Sequence, residues 1–146
     1  MHKPEYVKFL NIPSIPQEIV DNLPKDYSLY DRHAAVATFS RSDSFNDEID
    51  FWCKQNISKD IDFGFQIING DVPAHIDNRV FVKFFYLIQE GGDRVLTKFW
   101  SEDKKDILAE YHIPVNTWVL FRADVMHSVE NVNSEIERIS VVGKLF

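Results

Sequence analysis

After residue 62 the chain breaks into short β-rich runs separated by turn residues, a pattern that few folds accept. The runs cover 63–69, 79–90, 95–100, 117–122, 128–132 and 139–146, with Gly70-Asp71 and Gly91-Gly92-Asp93 among the breaks. Their Val, Ile, Phe, Tyr and Trp content suits a pleated, half-buried surface. Six short strands in about eighty residues close into a sandwich or a barrel. Within 79–90, strict alternation puts Val80, Val82, Phe84, Tyr86 and Ile88 on one face. Arg79, Lys83 and Gln89 share the other with Phe81, Phe85 and Leu87. The uncharged face is expected to point inward.

The rest of the chain adds helix, so the expected class is mainly β with a flanking helix (α+β). Residues 1–33 hold four of the six prolines and read as an irregular lead-in with a short helix at 17–22. Residues 34–39 suit a strand. A helix capped by Asp43 or Ser44 is expected to run to about Gln55, with Phe45, Ile49 and Trp52 on one apolar face. Residues 101–111 read as a helical turn or a loop. At 146 residues one domain is expected, with 1–60 flanking a β core over 63–146. Such a length removes roughly 70% of the unfolded surface from water.

Charge and cysteine usage narrow the partners. A net charge of −7 repels phosphate backbones, so nucleic acid is not an expected partner. Arg79, Lys83 and Lys98 read as the solvated face of a strand. Cys53 is the only cysteine, which rules out an intramolecular disulfide and makes the cytoplasm the expected compartment. The first residues lack the apolar stretch of a signal peptide, and the longest apolar run, 84–88, is far too short to span a bilayer. No membrane association is expected, and oligomeric state is not legible.

The candidate chemistry lies in His75-Ile76-Asp77, at the lip of one strand, and in His127, fifty residues after Asp77 at the start of another. Two imidazoles and a carboxylate can occupy one face of an octahedral Fe(II) and leave three positions open. A His-x-Asp pair alone is weak, and the joint spacing carries the reading. His33 and His112 read as surface residues. Arg138 and Ser140, two apart in a strand, point the same way and together can grip a carboxylate beside that metal.

The segment Thr117-Trp-Val-Leu-Phe-Arg-Ala-Asp-Val-Met-His127, with Arg138-Ile-Ser140 eleven residues further on, resembles the last two strands of Fe(II)/2-oxoglutarate-dependent oxygenases. Tyr86-Leu-Ile-Gln-Glu-Gly-Gly-Asp-Arg-Val-Leu-Thr-Lys-Phe99 resembles a hairpin of the prolyl-hydroxylase-like branch. The likeness covers 63–146. It implies a double-stranded β-helix, a jelly-roll or cupin-like barrel, with His75, Asp77 and His127 as iron ligands. It further implies that Arg138 and Ser140 hold 2-oxoglutarate, with Lys83 as an alternative anchor, and that O₂ and Fe(II) complete the set. The reaction implied is hydroxylation of an unactivated C–H on a small molecule or an amino-acid or prolyl residue, with decarboxylation of 2-oxoglutarate to succinate. Tyr86, on the expected inward face, would add a hydrogen bond to the co-substrate. Phe65, Phe99 and Trp100 are candidates to line the approach, and Asn131 either supports the site or closes a turn. The chain is short for the family, so cover over the substrate would have to come from 1–60 or be missing.

Two other readings stand beside this one. A cupin-type metalloprotein would use the same barrel, and His127-x₃-Asn131 fits the end of that family's second motif, although His75-x-Asp77 does not supply the first. A non-enzymatic β-sandwich binding protein would use the same residues as surface polar groups.

Overall fold

The computed structural model describes residues 5–23, 32–35 and 40–146. In chain order the elements are β1 (Val7–Phe9), α1 (Gln17–Asp21), β2 (Arg32–Ala35), β3 (Ser40–Phe45), α2 (Asp47–Asn56) and β4 (Phe63–Ile68). There follow β5 (Val72–His75), β6 (Val82–Gln89), β7 (Leu96–Trp100), β8 (Ile107–Tyr111), β9 (Trp118–Arg122), β10 (His127–Glu130) and β11 (Arg138–Leu145).

From β4 onward the strands are dealt between two antiparallel sheets. The larger has the order β1-β9-β6-β11-β4-β3-β2 and the smaller β5-β10-β7-β8. Strands β4, β6, β9 and β11 thus enter one sheet, and β5, β7, β8 and β10 the other, so the chain winds around a common axis. This is a double-stranded β-helix. The sequence-derived strands recur with ends shifted by a few residues.

The larger sheet is covered on both faces. On its outer face Ile49 and Cys53 of α2, with Ile15, Val20 and Leu23, pack on Phe63, Phe65, Ile67, Tyr86, Trp118, Ile139 and Val141. On its inner face Phe85, Leu87, Val119, Phe121 and Val142 meet Phe99 of the smaller sheet. The expected inward face of β6 is therefore reversed: Tyr86 faces the helix, while Lys83 and Phe85 face the interior. A strand buried on both sides carries no polar-apolar alternation to orient it, and the charge that suggested solvent belongs to the cavity.

Two further expectations change. The helix does not begin at Asp43 or Ser44, because 40–45 form β3, whose ladder with β4 overrides the capping tendency of its serines. Asn46 caps α2 instead, its side chain accepting from the Ile49 amide at 3.0 Å, with Asp47, Glu48 and Asp50 on the first turn. Residues 101–111 are neither helix nor plain loop. Ser101 and Asp103 close a polar turn that leads into β8, which pairs with β7. Of the expected strand 34–39, residues 34 and 35 belong to β2, and the rest lie outside the described residues. No described helix is long and apolar enough to cross a membrane.

Candidate metal centre

His75 ends β5 and His127 begins β10, and the two are register partners across that antiparallel pair. Their rings lie 4.5 Å apart, centroid to centroid. Asp77 follows two residues after His75, and its backbone N–H donates to the Ala123 carbonyl at 3.0 Å, which ties the loop after β5 to the turn before β10. Asp77 Oδ1 lies 3.0 Å from His75 Nε2 and 3.4 Å from His127 Nε2. One donor atom from each of the three residues falls within 4.8 Å of the other two.

Both imidazoles are held by the same local device. His75 Nδ1 sits 2.8 Å from the Pro73 carbonyl and His127 Nδ1 2.7 Å from that of Val125. A carbonyl only accepts, so each Nδ1–H donates to it, which leaves each Nε2 as the ring nitrogen that faces Asp77, the orientation in which metal-ligating histidines are held. Phe121, edge-on at 4.9 Å, and the fully buried Phe99 brace the His127 ring.

Electrostatics disfavour protonation of Asp77 and of His127. Burial by itself would raise the Asp77 carboxyl, but His127, His75 and Lys83 outweigh it and hold the group well below the usual carboxylate range. Burial lowers His127 from its ordinary value, only partly opposed by Asp77. Lys83 Nζ donates to Asp77 Oδ2 at 3.2 Å and lies over the Phe121 ring. The carboxylate is thereby divided, Oδ1 toward the imidazoles and Oδ2 toward the lysine. Two imidazole nitrogens and one carboxylate oxygen on one side of a cavity suit a divalent transition metal such as Fe(II).

The cavity beside these donors measures about 280 Å³ and is also lined by Lys83, Phe85, Thr97, Arg138, Ser140, Gln66 and Lys144. Arg138 begins β11 and is 4% exposed. Its guanidinium donates to the Glu90 carbonyl at 3.1 Å and lies near the Phe85 ring, and burial pushes its pKa down to about 10. Gly91 makes this burial possible. A Cβ there would stand 2.8 Å from Arg138 Cβ, and φ is +82°, a conformation glycine adopts without strain. Ser140, 2% exposed, follows on the same side of the strand.

The structure thus gathers His75, Asp77, His127, Arg138, Ser140 and Lys83 around one cavity. Tyr86 is not among them: its ring packs on Trp118 and its hydroxyl donates to Asn116 Oδ1 at 3.3 Å, behind the sheet. Phe65 lies on that same outer face, and Trp100 lies on the outside of the smaller sheet, donating to Ser128 Oγ. Asn131, at φ +69°, donates to the Arg94 carbonyl and closes a turn. Gln66, Thr97 and Lys144 escaped the sequence reading. The signal for Lys144 was present, since it shares the strand parity of Arg138 and Ser140.

The sequence matches no family model and no curated protein. Among solved structures, the hydroxypropylphosphonic acid epoxidase from S. wedmorenis superposes with a TM-score of 0.49 at 8% identity, over 84% of this chain and 59% of that one. Oxalate oxidase in complex with glycolate gives 0.49 at 12% identity, over 84% and 58%. Vicilin from hazelnut, Corylus avellana, gives 0.47 at 8% identity, over 79% and 31%. The chain spans less than two thirds of the length of each, and at these identities the likeness is one of fold alone.

Proposed function

We propose that the protein is an Fe(II)- and 2-oxoglutarate-dependent oxygenase that hydroxylates an unactivated C–H bond of a small molecule or an amino-acid residue. The observation that carries this reading is the buried charge of Arg138 in the cavity of the His75, Asp77 and His127 donors. Its one hydrogen bond among the described residues goes to a backbone carbonyl, and no described carboxylate pairs with it. The Glu90 carboxylate acts on it only through space, beyond ion-pair distance, and a desolvated guanidinium without a contacting counter-ion costs folding energy unless a ligand supplies one. A small dicarboxylate, anchored at Arg138 and reaching the metal donors with its 2-oxo acid end, answers both halves of the cavity.

The iron would supply the activation of O₂, with 2-oxoglutarate leaving as succinate and CO₂ and one oxygen atom passing to the substrate. The chain's own residues orient and exclude. Arg138 offers a planar fork to a carboxylate, with the Ser140 hydroxyl beside it. Phe85, Phe121, Val80 and Val129 keep the cavity apolar around these few polar groups. Lys83 holds the outer oxygen of Asp77 and leaves one oxygen for the metal.

The test is Fe(II)-dependent formation of succinate by protein purified without oxygen. His127→Ala is expected to abolish it. Arg138→Ala is expected to raise the 2-oxoglutarate requirement about ten- to a hundredfold, the worth of a charge-assisted hydrogen bond, with iron affinity little changed. Undiminished turnover in His127→Ala would refute the metal assignment. Equal effects of Arg138→Ala on iron and on 2-oxoglutarate would refute the anchor.

A further inference from the structure

We infer that the substrate carries an anionic group, a carboxylate or a phosphate, which Lys144 receives beside Lys83 at the edge of the metal cavity. This rests on the reading of the site as one for a divalent metal and 2-oxoglutarate.

Lys83 and Lys144 are register partners on β6 and β11. Like charges directly opposite one another on an antiparallel pair destabilise it. Both nonetheless line the cavity. Lys83 is largely buried and pairs with Asp77 at 3.2 Å. Lys144 is exposed and forms no ion pair among the described residues.

Charge balance points the same way. The cavity is lined by three cations, Lys83, Arg138 and Lys144, against one carboxylate, Asp77. A divalent metal and a dicarboxylate co-substrate cancel each other, so the excess of positive charge survives their binding. That excess sits in a chain whose net charge is −7, so it is a local feature and not a general basicity. A cleft of one sign concentrates ligands of the other.

Lys144 also stands at a junction. A second hollow of about 380 Å³ shares Gln66 and Lys144 with the metal cavity and continues past Gly64 and Val142. Asp60 and Asp62 border its far side, but both are exposed and Asp62 is engaged by Lys54 at 2.8 Å. The cations therefore set the charge nearest the metal donors, and a substrate lying across Lys144 reaches from the second hollow toward the metal.

The experiment uses protein loaded with redox-inert Zn(II) and saturating 2-oxoglutarate, titrated calorimetrically with matched pairs: phosphoserine against serine, and glutamate against glutamine. At least one anionic member is expected to bind ten times more tightly than its neutral partner, and which one does so separates phosphate from carboxylate. Lys144→Gln should erase that preference with Zn(II) affinity unchanged, and Lys144→Arg should keep it. No preference in either pair, a preference for the neutral members, or a preference that survives Lys144→Gln would overturn the inference. Failure to bind Zn(II) or 2-oxoglutarate in the first step would instead bring down the reading of the site itself.

Discussion

Asp77 shows how much a single carboxylate can organise. It faces two imidazoles through one oxygen and an ammonium through the other, and its backbone amide anchors the loop that carries it. Both Asp77 and His127 have pKa values below their ordinary 3.8 and 6.5. In the folded protein each therefore prefers its unprotonated form, and the unfolded chain binds more protons as pH falls. Stability of the metal-free protein is accordingly expected to decline as pH drops through the range just below 6.5, and again as it drops below 3.8. Urea unfolding midpoints measured from about pH 7 to pH 3 check this, and Asp77→Asn should flatten the more acidic decline. A midpoint that rises toward acid would contradict the ion-pair geometry. At this scale the convergence of His75, Asp77 and His127 was legible because two-residue and strand-end spacings fix direction, whereas Tyr86 was misplaced because nothing local tells one buried face from another.

At the scale of elements, β11 does most to connect fold and site. It lies between β4 and β6, presents Arg138, Ser140 and Lys144 to the cavity, and packs Ile139 and Val141 on the helical side. Gly143 belongs to that second face, where the fully buried Phe63 ring lies so close that an added Cβ would overlap it. Gly143→Ala is therefore expected to cost about 1–3 kcal/mol, the usual penalty for overfilling a packed core, read as a lower urea midpoint with unchanged slope. Strands with Val, Ile and aromatic runs were readable in advance. Those that were not include β1, β3 and β5, which are short, polar or proline-bearing, and β8, whose apolar residues follow a run of charged ones; each exists because a neighbouring strand pairs with it.

For the molecule as a whole, the dealing of strands between two sheets follows from short runs and tight turns, which is why the architecture could be anticipated. The unequal sheets, seven strands against four among the described residues, could not, because β1 joins β9 across more than a hundred residues and β3 joins β4 across α2, with β2 added at its edge. An ion held by the proposed donors would link the loop after β5 to β10 and bind only the folded chain. At a Zn(II) concentration a hundred times the dissociation constant it should add about 2.7 kcal/mol, seen as a raised melting temperature that His127→Ala loses. Since His75 and His127 face each other directly across β5 and β10, alignment of the smaller sheet and possession of a site are one event. A molecule that closed those strands one residue out of step would turn one imidazole to the outside. An ion held there would thus act as a proofreader of assembly, and the fraction of a preparation able to retain it would count the molecules that closed correctly.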